Sequence, residues 1–319
     1  MKKSTALICL LWLTPLTLSA GFEVKNSLGK MEILDNGKVV FGWQSTPIQK
    51  PRGGPQFSGS AFIHPLRTPS GFTLTDIQPS DHLHHFGVWW PWKFISVDGQ
   101  KFNTWEIQKK QGGHAAVSAT VTSQSDDEIV LKLVNQCIIK PAETELVPVI
   151  NEETTLRFAR LDKDTYVLDL IVRQTPVAGK DIEIVKYRYS GFSWRSTPDF
   201  KKTNSKMLTS GGHNRDNANG QTARWAMVGG DVTINKKPAK ATILIMSAAA
   251  NDGGTPERLR VWNSKMGIAQ FINFNPVVKG AQTLKPENTS VSFRRYRVIV
   301  ADKAISADQA EKYWKAWKK

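Results

Sequence analysis

Six histidines occur in the 319 residues, and four of them, His64, His82, His84 and His85, fall between positions 64 and 85. Imidazole is the side chain that titrates near neutral pH and that binds transition metals. Asp81 stands directly before the last three. A carboxylate beside an imidazole sets its tautomer and orientation. Two chemistries fit this run. His82, His84 and His85, oriented by Asp81, would act as general acid and base. Alternatively, His82, His84 and His64 would hold a divalent transition metal, with Asp81 as a ligand or an outer partner. An extended 81–85 segment would put His82 and His84 on one face and His85 on the other. The plain alternative is a set of hydrogen-bonded structural histidines. Buried polar clusters are costly unless satisfied or used, which favours a site.

Other residues could complete it. Trp89, Trp90 and Trp105 offer flat faces for a sugar ring. Glu106 is a further acid or base if it faces the histidines, and His64 would assist in binding. From Tyr187 to Arg195, aromatic and Arg residues alternate, which suits a groove for sugar rings or carboxylates, with Arg195 as the anchor. The same alternation would also serve as cross-strand pairs. His114 stands at a strand start, and His213 lies in a Gly/Asn-rich loop. No glycine-rich dinucleotide fingerprint, phosphate-binding loop, Gly-x-Ser-x-Gly elbow or His-Glu-x-x-His is present, so no nucleotide cofactor is expected.

The elements that must position these side chains are strands. Lys30–Leu34 and Lys38–Trp43 flank Asn36-Gly37, a tight hairpin signal. Period-two patterns predict strands at 115–123, 128–134, 154–160, 164–174, 182–189, 223–228, 241–247, 257–262, 267–274 and 291–300. One helix is predicted, at the end. Ser306 and Gln309 have capping-box spacing, and Ala310, Tyr313, Trp314 and Trp317 recur at helical spacing. Many strands and one short helix predict an all-β fold of large antiparallel sheets packed face to face.

Residues 1–20 read as a secretory signal: Lys2 and Lys3, an apolar stretch, then Leu18-Ser19-Ala20. A single domain over 21–319, periplasmic or secreted, is the resulting expectation, with no transmembrane segment in the mature chain. Cys137 is then the one remaining cysteine, flanked by apolar residues, and reads as a buried thiol. The formal charge is +15, and Lys2 and Lys3 supply only two of it. No nucleic-acid recognition motif accompanies that excess, so an anionic polysaccharide or envelope surface suits it better.

Ala61 to Gly71 and Pro79 to Trp90, with His64-Pro65-Leu66-Arg67-Thr68-Pro69 and Asp81-His82-Leu83-His84-His85-Phe86-Gly87, resemble the signature of the PmoA-like family. Trp105-Glu106 and Gly191 to Arg195 resemble later segments of it, and Phe86 departs where Arg is expected. The family's methane-oxygenase label requires several membrane helices, which this sequence lacks. The resemblance implies a β-supersandwich similar to galactose mutarotases, in exported proteins of polysaccharide-degrading bacteria. The expected function is a carbohydrate-active enzyme using His-based acid/base chemistry, metal-assisted or not, on a sugar that an anionic group would suit. A non-catalytic carbohydrate-binding protein and a metal-binding envelope protein are the alternatives.

Overall fold

A computed structural model describes residues 21–142, 145–177, 179–251, 256–286 and 292–317. The expected signal segment lies outside the described residues. The first of two eight-stranded sheets runs, edge to edge, through Phe22–Ser27, Lys30–Asp35, Lys38–Gln44, Phe62–Leu66, Val88–Trp89, Phe192–Arg195, Phe271–Asn275 and Arg258–Val261. The second runs through Ser205–Thr209, Trp225–Ile234, Lys237–Ser247, Ser292–Ala301, Thr165–Pro176, Val147–Asp162, Glu128–Ile139 and Gly112–Gln124. A four-stranded sheet orders Gln282–Leu284, Ile182–Ile184, Phe94–Val97 and Gln100–Asn103. Every strand pairing is antiparallel, as the sequence pattern requires.

The main core lies between the two large sheets. Ile63, Val88, Trp194, Ile272 and Val261 project from the first sheet, and Leu131, Phe158, Leu168 and Val298 meet them from the second. Side chains alternate along a strand, so the neighbours of these residues must point away from the core. Phe62, Trp89, Phe271 and Trp262 therefore form a separate buried cluster on the outer face of the first sheet, with Phe86 and Trp105. The outer face of the second sheet is covered by the predicted helix, Ala307–Trp317. Its capping box is made: Ser306 N donates to Gln309 Oε1 and Gln309 N to Ser306 Oγ, at 2.9 and 3.2 Å. Ala310, Trp314 and Trp317 are buried against Trp225, Leu244 and Ile299.

One expectation needs correction, and one open alternative is decided. The strand predicted over 182–189 ends at Ile184. Beyond it, Asn275 Nδ2 donates to Tyr187 O and Asn273 Nδ2 to Ser190 O, so side-chain amides replace ladder partners. The 81–85 segment is not extended. His82 N donates to Pro79 O and His85 N to His82 O, both at 3.0 Å, giving two consecutive turns. Cys137 is buried, and burial pushes its thiol well up.

Candidate functional site

The double turn decides which histidines meet. Because 79–85 turns twice, His82, His84 and His85 close on one another, with ring centroids 4.9–5.6 Å apart. A strand would have split them between two faces. They sit on the outer face of the first sheet, against its aromatic cluster. Trp262 lies 4.5 Å from His82 and 5.2 Å from His85; Trp89 and Phe271 lie 5.0 and 5.1 Å from His85. His85 is fully buried, while His82 keeps 31 % of its side chain exposed.

Asp81 ties the cluster to the sheet. Its Oδ2 accepts a hydrogen bond from His82 Nδ1 at 2.9 Å, and both its oxygens accept from Arg195 Nη2 at 2.7 and 2.8 Å. Arg195 ends the Phe192–Arg195 strand and is 1 % exposed. Its guanidinium lies over Trp262 at 5.1 Å. Burial pushes the Asp81 carboxyl up, but the bonds from His82 and Arg195 outweigh it and hold the group below the usual carboxylate range. With Nδ1 of His82 committed to Asp81, Nε2 is the ring nitrogen left for another partner. Arg195 Nε and Nη1 and His85 Nδ1 are buried without a hydrogen-bond partner among the protein atoms.

A second ion pair borders His84. Lys93 Nζ donates to Glu106 Oε2 at 2.6 Å, and Asn103 Nδ2 donates to the same oxygen at 2.7 Å. Burial raises Glu106, but these bonds overcome it and keep the carboxyl ionised. Burial, with a smaller contribution from His82, pulls His84 down to about 4. Burial, then His84 and Arg195, pulls His85 well below the ordinary imidazole range. Both rings are neutral at pH 7.

Of the residues singled out from the sequence, Asp81, His82, His84, His85, Glu106, Trp89, Trp105 and Arg195 come together here. Two do not. His64 is on the same sheet face, but its Nδ1 bonds Thr75 Oγ1 at 2.9 Å, and burial, with Lys30 and Arg67, lowers it to about 4. The metal set of His82, His84 and His64 is therefore not assembled, and among the described residues no three His, Cys, Asp or Glu side chains are grouped to hold a metal ion. Trp90 points into the sandwich, where its indole N–H donates to Glu152 at 2.6 Å. Alternation from Trp89 puts it there, so it is no platform for a ligand above the histidines. Trp89 and Trp105 are themselves buried and support the imidazoles from beneath. Elsewhere, His114 is half-buried near Glu152 and His213 lies in its loop.

Sequence reasoning missed Trp262, Phe271 and Lys93. Trp262 had a signal: with Leu259 and Val261 facing the core, period two puts it on the outer face. Lys93 had none, since its role comes only from the fold bringing Glu106 beside it.

A family model described as "Family of unknown function (DUF6807)" matches residues 30–315. This corrects the PmoA-like resemblance read from the 61–90 motif. No curated protein matches the chain. Among solved structures, heparan sulfate lyase HepC from Pedobacter heparinus is similar with a TM-score of 0.36 at 11 % identity, over 91 % of this chain but 36 % of that one. This chain thus spans about a third of the lyase. A putative mutarotase (YeaD) from Salmonella typhimurium aligns with a TM-score of 0.37 at 8 % identity, over 92 % of this chain and 96 % of that one. The GalM/aldose epimerase homologue from C. elegans aligns at 0.33 and 9 % identity, over 89 % and 99 %. At these scores no activity is carried over from them.

Proposed function

The chain belongs to DUF6807, a family of unknown function, so its activity must be read from the site, and we propose that it is an exported, carbohydrate-active enzyme that moves protons on a sugar with the His82–His84–His85 cluster. The observation that carries this reading is the convergence of three imidazoles with the Asp81–Arg195 pair on one sheet face, where buried nitrogens of Arg195 and His85 remain unpaired. A buried polar atom without a protein partner is costly, and a ligand or a catalytic role is one way such an atom is used.

His82 is the general base. It keeps 31 % of its side chain exposed, and with Nδ1 bonded to Asp81 its Nε2 is the nitrogen left to act. The neutral ring of His84 hydrogen-bonds a sugar hydroxyl, and the neutral ring of His85 braces both from below. Lys93, held by Glu106 beside His84, is the cation available to steady developing negative charge on an oxygen. Sugar hydroxyls and ring oxygens match this mixture of neutral acceptors and fixed cations.

The test is a screen of glycosides and oligosaccharides for hydrolysis, elimination or epimerisation, followed by reducing-end assay and NMR, with His82→Ala and His84→Ala beside the unaltered protein. Turnover is expected to fall by roughly 10²–10⁴-fold in each variant, with little change in melting temperature. Turnover retained in both variants, or binding without turnover, sinks the catalytic reading.

A further inference from the structure

A groove of about 310 Å³ opens beside the histidine site, lined by Arg188, Arg258 and Arg260 with Asn219, Gly220 and Asn275. Arg258 and Arg260 belong to the Arg258–Val261 edge strand of the first sheet, whose next residue is Trp262. Alternation puts Arg258, Arg260 and Trp262 on the same outer face, since Leu259 and Val261 are in the core.

The three guanidiniums are held without being neutralised. Arg260 donates from Nη1 to Asn219 Oδ1 at 2.8 Å and from Nη2 to the Tyr189 hydroxyl at 3.0 Å. Arg258 donates from Nε to the Gly220 carbonyl. Arg188 lies over the Tyr189 ring at 5.4 Å, and Arg260 over it at 5.0 Å. All of these partners are uncharged, and among the described residues none of the three arginines is in an ion pair. Several other arginines of this fold are paired with carboxylates, among them Arg157 with Glu128, Arg160 with Asp35 and Arg297 with Asp169, while Arg67 and Arg215 are held by hydrogen bonds to uncharged groups alone. Three like charges oriented into one groove repel until an anion enters, and the planar guanidinium fork matches a carboxylate or sulfate with two parallel bonds.

The groove is coupled to the site by shared residues. The Tyr189 hydroxyl that orients Arg260 also accepts from Trp262 Nε1 at 3.2 Å, and Trp262 contacts His82. One tyrosine and one indole separate the cations from the imidazoles. We infer that this groove binds the acidic group of an anionic sugar, carboxylate or sulfate, while an adjoining part of the same molecule reaches the histidines. The inference rests on the carbohydrate reading above and specifies its substrate class.

Calorimetric titration of the protein with oligogalacturonate, a heparin oligosaccharide and a neutral cello-oligosaccharide tests it, with Arg258→Gln/Arg260→Gln, Arg188→Gln and His84→Ala alongside. Binding of one acidic glycan is expected, weakened by added salt and by roughly tenfold or more in the double variant. Binding of oligogalacturonate shows that carboxylates suffice; binding of the heparin oligosaccharide alone shows that sulfate is required. The exposed Arg188→Gln variant, whose fold is not at risk, should also weaken it. His84→Ala should weaken this binding much less than the double arginine variant while removing turnover. Failure of both acidic glycans to bind, equal binding of the neutral glycan, or unchanged affinity in the arginine variants overturns the groove. Acidic binding with no turnover on any glycan would sink the enzymatic reading alone.

Discussion

Burial lowers the pKa of four imidazoles of this protein, His64, His84, His85 and His114, and that has a sign in pH. An unfolded histidine takes up its proton near pH 6.5, whereas folded His64 and His84 do so near 4 and His85 lower still. Between those values the unfolded chain binds more protons, so stability falls as pH is lowered from about 6.5 towards 4, at up to about 1.4 kcal/mol per pH unit for each group. Above pH 6.5 these groups contribute no pH dependence. Urea midpoints measured across this window should drop steadily, and His84→Gln should flatten the slope by about one proton. A midpoint that does not move between pH 6.5 and 4.5 would refute the burial assigned to these rings. The residue types were legible in the sequence: four histidines, an aspartate and tryptophans in one run mark a site on composition alone. Which of them meet was not. His64 and Trp90 are separated from the cluster by contacts with Thr75 and Glu152, residues remote from them in the chain or in type from any motif.

At the scale of elements, the site depends on one glycine. Gly87 has φ +56, and a Cβ there would come within 2.2 Å of the Ile63 carbonyl oxygen. Its N–H donates to Asp76 O at 2.8 Å, and its carbonyl accepts from Arg195 N at 2.7 Å. Gly87 thus lets the chain leave the histidine turns and pass between the Phe62–Leu66 strand and Arg195. Gly87→Ala should cost more than about 2 kcal/mol, from a disfavoured backbone region and a clash with backbone that cannot rotate away. Binding at the histidines should weaken more than stability does, because Arg195 moves with that backbone. Wild-type-like melting and binding in this variant would show that the close approach is not needed. The conformation of 81–85, which the sequence left open, belongs to this scale. Period two has little to act on among four polar residues and a single Leu83, where no apolar alternation exists to enforce it. Pro79 and the turns it starts carried the decisive information. The hairpin at Asn36-Gly37 and the 154–174 hairpin were legible because an apolar face and a turn signal agree there.

The two outer faces of the molecule are built differently. One face of the sandwich carries the imidazoles and the arginine groove; the opposite face is closed by the C-terminal helix. The architecture followed from the sequence because long alternating strands leave few ways to bury both faces, and the helix followed from its cap and stripe. That the helix sits far from the site could not be read, since nothing in a chain says which of two sheets an amphipathic helix will cover. This arrangement predicts that stability and function can be separated by mutation. Trp314 is buried against Trp225, Leu244 and Ile299, and its indole N–H donates to Ser247 O at 3.1 Å. Trp314→Ala should therefore cost about 3–5 kcal/mol, seen as a lower thermal midpoint and greater exposure of the second sheet to a hydrophobic dye. Because the two large sheets and their shared core lie between this helix and the histidines, glycan affinity at 25 °C should stay within about twofold of the parent as long as the variant remains folded. A variant that stays folded yet loses affinity would show that the helix communicates with the site through the core, and that the two faces are not independent.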